Sequence, residues 1–270
     1  MKTNLKFTAI ILASMLALAI PFSALAHRPW LLPSATVTTP NQWITVDAAV
    51  TTDIFQFDHN PMRIDTLIVT APDGSALTPQ NISNGKLRTT FDLQLVQNGT
   101  YRLSTGGSSL NASYKVGEEI KRWRGTPEAF AKEVPVDAKE LQVTQSQSRV
   151  ETFVTAGKPS ALKSSGSGLE LVPVTHPNDL FEGETANFKF TIDGKPAAGL
   201  KIEILQDGSR YRTKQGEIEV TSDANGVFSV TWPTAGRYRL EVATTDTNTT
   251  FAQAKQRRLS YVATFEVLPQ

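Results

Sequence analysis

The sequence contains no cysteine. That removes disulfides as a source of stability, along with thiolate metal ligands and cysteine nucleophiles. A metal held by this chain must be held by nitrogen and oxygen donors. Histidine is scarce as well: His27, His59 and His176 are the only three in 270 residues. Neither sign of charge is in excess, with 27 Lys and Arg facing 26 Asp and Glu. A near-neutral chain is not built to hold nucleic acid or an anionic membrane by charge. Catalytic signatures are missing too: there is no Gly-x-Ser-x-Gly elbow, no Walker loop and no His-Glu-x-x-His helix. Carboxylate pairs such as Glu118 and Glu119, or Glu182 and Glu184, have no partner arrangement that the sequence establishes. The chain therefore reads as a non-enzyme.

Long apolar runs are absent except at the start. Lys2 and Lys6 precede an apolar stretch from Phe7 to Phe22, and Ser23-Ala24-Leu25-Ala26 closes it with small residues. This is the three-part pattern of a secretory signal peptide cleaved after Ala26. The run is short for a retained span of about 20 residues. Residues 1–26 are expected to leave, and the mature protein to be periplasmic with no membrane span. Of the 27 basic residues two leave with the signal and of the 26 acids none, so the mature net charge is −1.

What remains is rich in short β-branched and aromatic runs separated by Gly, Pro, Asn and Asp, the pattern of β-sandwiches. The first set comprises Trp43–Val50, Leu67–Ala71, Thr89–Leu95, Tyr101–Thr105 and Ala112–Val116. Trp123 to Lys132 reads as a short helix centred near 127–133, with Thr126 to cap it, Pro127 in its first turn and Glu128 at its N-terminal dipole. Gln142–Thr155 reads as extended. The Ser-, Gly- and Lys-rich stretch 157–168 reads as a linker. Beyond it, about seven further strands fall in roughly 100 residues, the dimensions of an immunoglobulin-like sandwich. The expected fold is all-β: two tandem Ig-like sandwiches, 27–156 and 169–270. An internal echo supports two related modules. Phe91-x-Leu93-x-Leu95-x-x-x-Gly99-x-Tyr101-Arg102-Leu103 has the same spacing as Phe228-x-Val230-x-Trp232-x-x-x-Gly236-x-Tyr238-Arg239-Leu240. Each Tyr is placed to act as a sandwich corner tyrosine.

The cleavage site makes His27 the mature N-terminus. Such a residue offers an α-amine and an imidazole together, a chelating pair suited to Ni(II), Co(II), Cu(II) or Zn(II). His59, in Phe57-Asp58-His59-Asn60-Pro61, lies between expected strands and is the candidate to complete the site. Asp58 would bind directly or orient an imidazole. His176, before Pro177-Asn178-Asp179, joins only if the second half packs against the N-terminal edge. The plain alternatives are a frayed terminus for His27, and loop or turn roles for His59, Asp58 and His176. Two basic clusters, Lys121-Arg122-Trp123-Arg124 and Lys255-Gln256-Arg257-Arg258, suit an anion or ordinary solvation.

The opening Ala26-His27-x-x-Trp30-Leu31-x-Pro33 resembles that of an exported bacterial family of unknown function, grouped with the substrate-binding component of nickel uptake systems. The second half is similar to that family's C-terminal Ig-like domain through Leu169–Pro173, Asp193-Gly194-Lys195-Pro196, Asp223-Ala224-Asn225-Gly226 and Ala235-Gly236. The resemblance implies a periplasmic protein of transition-metal handling, with His27 as a ligand and an envelope metal transporter or outer-membrane receptor as partner. The expected function is metal binding or delivery through His27 and His59. The alternatives are a non-catalytic envelope scaffold of tandem Ig-like domains and, more remotely, a copper-dependent oxidative enzyme.

Overall fold

The computed structural model describes residues 27–270; the expected signal segment, 1–26, lies outside the described residues. The chain first runs through β1 (Arg28–Pro33), β2 (Val37–Thr38), β3 (Gln42–Thr51), β4 (Asn60–Pro61), β5 (Ile68–Thr70), β6 (Ala76–Leu77), β7 (Gln80–Asn84) and β8 (Thr89–Leu95). Then come β9 (Gly99–Val116), β10 (Glu119–Gly125), the helix α1 (Pro127–Glu133) and β11 (Lys139–Ala156). The remainder holds β12 (Leu169–Pro173), β13 (Thr185–Ile192), β14 (Lys195–Pro196), β15 (Lys201–Gln206), β16 (Ile218–Thr221), β17 (Val227–Thr231), β18 (Gly236–Asp246) and β19 (Gln256–Val267). Among the described residues the fold is all-β apart from α1 and one 3₁₀ turn at Ser209–Tyr211.

Alternation explains most strands. In β8 every second residue points inward, and Phe91, Leu93 and Leu95 are fully buried. The helix forms where the capping residues stand: Thr126 accepts from the Ala129 N–H, with Pro127 first and Glu128 in the first turn. Trp123 to Gly125, read from the sequence as the start of this helix, instead end β10, paired antiparallel with β9. Trp123 leans on the Phe130 ring and donates its indole N–H to Glu133, so it reaches the helix from the neighbouring strand.

Three sheets stack. The central one has ten strands, in the order β16-β15-β18-β19-β11-β9-β5-β6, with β10 beside β9 and β2 beside β11. A five-stranded sheet, β1-β3-β8-β7 with β4 beside β3, packs on one face through Leu31, Val46, Phe91, Leu103, Val150, Val154 and Val262. A four-stranded sheet, β12-β13-β14 with β17 beside β13, packs on the other through Phe188, Phe190, Trp232, Phe153, Tyr261 and Phe265. Strands β11 and β19 serve both cores, and residues 150–156 of β11 are buried without a break.

No strand falls within 157–168, but the parts of the chain before and after it are joined by more than that segment. Strand β11 pairs in parallel with β19, Thr144–Thr152 against Gln256–Thr264. The segment itself is coil held in place: Ser164 Oγ and the N–H groups of Ser165 and Gly166 donate to the buried Glu170 carboxylate. The internal echo is also physical. Tyr101 OH donates to the Gln97 carbonyl, and Tyr238 OH to that of Thr234, four residues back in each case. Gly99 and Gly236 hold φ of 137° and 142° at matching places, a region that disfavours any side chain.

Candidate metal centre

The site is organised by β3. At Val50 this strand pairs with Pro29 of β1 and with Asn60 of β4. A strand has two hydrogen-bonding edges, so the two partners occupy opposite sides of one residue. His27 is the residue before β1, and His59 the residue before β4. Their rings meet as a parallel stack, with centroids 3.8 Å apart and planes at 13°.

The N-terminal strand is docked firmly. Trp30 is fully buried, donates its indole N–H to Thr51 Oγ1 at 2.9 Å, and packs against Phe55 and Phe57 of the loop leading to His59. Arg239, itself buried, donates Nε–H to the Pro29 carbonyl and pairs through Nη1 with Glu241 at 2.7 Å. Burial pulls the Arg239 guanidinium down from its ordinary value, and Glu241 opposes that.

Asp58 closes the loop. Its Oδ1 accepts from the Thr52 N–H at 2.9 Å and its Oδ2 from the Asp53 N–H at 3.0 Å. Both oxygens therefore serve the backbone, and Asp58 positions His59 by shaping the turn rather than by facing an imidazole. His176 is placed elsewhere and is fully engaged. Its Nδ1 accepts from the Asn178 N–H at 3.2 Å, and its Nε2 lies 2.9 Å from Thr100 Oγ1. An accepting Nδ1 leaves the proton on Nε2, so the ring is neutral and has no lone pair free for a metal. Half-burial holds its imidazole below the ordinary value, against opposing effects from Ser160 and Asp179.

Of the four sequence candidates, then, the fold brings together His27 and His59 and gives Asp58 and His176 structural work. Among the described residues no group of three or more His, Cys, Asp or Glu gathers around a common point. The donor set at the pair is two imidazoles, nitrogen donors that suit Ni(II), Co(II) or Cu(II). An imidazole lone pair lies in the ring plane, so parallel rings aim their lone pairs side by side; one ring must turn for both to reach one ion. His27 is exposed and His59 half-exposed, which leaves room for that turn. Arg239 escaped the sequence reading. Its one signal was its place in the echo, where Arg102 is its counterpart; Arg102 likewise ties its strand inward, to Glu170.

Fold and site together describe an all-β protein of stacked sheets with a histidine pair at the start of its first strand. Residues 24–246 match a family described as a domain of unknown function (DUF4198), and the chain belongs to that family. Nothing in the match links the chain to nickel uptake, and the family description names no enzymatic activity. No curated protein matches the chain. Similar solved structures include the D0-D1 domain of intimin, at 12% identity over 88% of this chain and 97% of that one, with a TM-score of 0.23. The Yersinia pseudotuberculosis adhesin InvE is 13% identical over 88% of this chain and 58% of its own, with a TM-score of 0.23. The Escherichia coli adhesin FdeC is 14% identical over 87% and 97%, with a TM-score of 0.22. At such scores these likenesses carry no functional argument. Among the described residues no helix is long and apolar enough to cross a membrane.

Proposed function

We propose that the chain is a periplasmic transition-metal binding or delivery protein that holds Ni(II), Co(II) or Cu(II) through the His27 α-amine and imidazole together with His59. The observation that carries this reading is the contact of two of only three histidines, 32 positions apart in sequence, at 3.8 Å. An N-terminal histidine on a free tail would have no reason to sit there. Trp30 and Arg239 fix the strand behind it. The proteins's own contribution to binding is to pre-place two donors, which lowers the ordering cost of binding. The metal supplies charge and a coordination point; delivery then requires a partner, for which an envelope transporter or outer-membrane receptor is the expected class.

The test uses protein exported and processed in a bacterial host. Mass spectrometry reads the mature N-terminus, and calorimetry measures binding of each metal. The expected start is His27, with binding at least tenfold tighter than that of a His-Arg-Pro-Trp peptide. His59→Ala brings affinity down to the peptide's, and acetylating the His27 α-amine removes that ligand and weakens binding likewise. Wild-type affinity equal to the peptide's would overturn the reading and leave a non-catalytic envelope interaction module.

A further inference from the structure

The two basic clusters picked out in the sequence lie 131 positions or more apart, yet the sheet register brings them onto one face. Arg124 of β10 is opposite Asn111 of β9, Asn111 is opposite Thr144 of β11, and Thr144 is opposite Gln256 of β19. Arg258, two residues on, is opposite Ser146, which is opposite Ser109. Strand alternation puts Arg122, Arg124, Asn111, Ser109, Thr144, Ser146 and Arg258 on the same side, and the Asn111 amide donating to Ser146 Oγ confirms it. Here β9 and β11 extend past the edge of the five-stranded sheet. Their opposite face is covered by Phe130, Val134 and Ala254, whereas this face stays open.

The result is a trough. Its larger part, about 820 Å³, runs from His27 along Ser146, Ser148 and Ser260 to Arg124 and Arg258. A continuation of about 390 Å³ adds Arg122, Ser113 and Gln142. From Val150 to Gln142 along β11 the floor spans about 26 Å at ~3.3 Å per residue. Among the described residues the one acid lining it is Glu241, already paired with Arg239. Arg122, Arg124 and Arg258 are exposed, and none takes part in the ion pairs of the described residues.

We infer that this trough binds an extended acidic glycan, a chain of sugars bearing carboxylates. Guanidinium groups clamp carboxylates in a planar, two-bonded fashion. Between them Ser, Thr, Asn and Gln side chains offer both donors and acceptors, which suits sugar hydroxyls. Two other polyanions fit less well. The one aromatic residue lining it, Trp123, turns its ring to the covered face against Phe130, so no ring is offered on which nucleic-acid bases stack. Its apolar lining residues Met62, Val150 and Val262 are buried and lie toward the His27 end, so the stretch between Arg122, Arg124 and Arg258 offers no apolar pocket for peptide side chains. The inference does not rest on the metal reading and does not need a metal.

The test measures binding of the processed, chelator-treated protein to polygalacturonate oligomers by calorimetry at low salt, with poly-glutamate and a single-stranded oligonucleotide as competitors. Polygalacturonate is expected to bind, to weaken as salt is raised, and to lose at least tenfold in affinity in Arg124→Ala/Arg258→Ala. Both positions are exposed, so the melting temperature of that variant should match the wild type, and any loss then belongs to the surface. No binding, equal binding by the double variant, or tighter binding of poly-glutamate or the oligonucleotide would overturn the inference. Equal binding before and after chelator treatment is expected, which keeps its outcome separate from that of the metal site.

Discussion

Among the three histidines, His176 shows how the same side chain is used when it is structural. Its Nε2 proton points to Thr100 Oγ1, which also accepts from the Ser160 N–H and shares a hydrogen bond with Thr155. His176→Ala should cost about 1–3 kcal/mol, the cost of leaving such buried partners unpaired, and should leave metal affinity unchanged; urea unfolding beside calorimetry reads both. Because burial lowers its imidazole in the folded state, the unfolded chain takes up the proton first as pH falls. Stability is then full above the unfolded value of about 6.5 and declines below it, a step that His176→Gln should remove. His27 and His59 were legible in the sequence because a signal-like junction and simple scarcity pointed to them. That they would meet was expected; the means was not legible, since it depends on β3 using both edges at Val50. The partners of His176 were hidden for a similar reason: Thr100 is 76 positions away.

At the scale of elements, most strands were legible from alternation, and α1 from Thr126, Pro127 and Glu128. The helix start was overextended because Trp123 is apolar at a helix-compatible spacing, while its actual pairing partner, Ala112, lies on another strand. The repeated corner gives a symmetrical prediction. Tyr101→Phe and Tyr238→Phe each remove a hydroxyl that makes two hydrogen bonds from a buried ring and should each cost about 1–2 kcal/mol, measured as a shift in the urea midpoint. Arg239 gives an asymmetrical one. Arg239→Met keeps the bulk but frees the Pro29 carbonyl and leaves Glu241 without its partner. The expected loss is about 2 kcal/mol, with weaker metal binding because β1 is less firmly held; Arg102→Met, in the matching position, should destabilise without touching the metal.

The whole molecule carries its buried charge in a few places that should set its acid limit. Arg257 binds Asp193 and Asp246 at 2.7 and 2.6 Å and holds both carboxyls below their ordinary 3.8. For Glu170 burial pushes upward, but the donors at Ser164, Ser165 and Gly166, with Arg149, outweigh it and leave the carboxyl below 4.5. Carboxyls lowered by folding stabilise above their unfolded values and cease to as pH falls through the folded ones. Unfolding free energy should therefore drop steeply below about pH 4.5, beyond the shallower histidine step, as urea titrations at pH 7, 5 and 3 would show. What could not be read locally was the sharing of one sheet by both halves, because a parallel pairing of β11 with β19 leaves no mark on either strand's own pattern. That pairing has a consequence in time. Strand β19 lies between β18 and β11, so the central sheet has a gap until residues 256–267 arrive. A chain made from its N-terminus can form hairpins early, but the core under the four-stranded sheet, which takes Leu259, Tyr261, Ala263, Phe265 and Val267 from β19, closes last. Folding that depends on such distant contacts is slow, and that face stays open until the final strand is made.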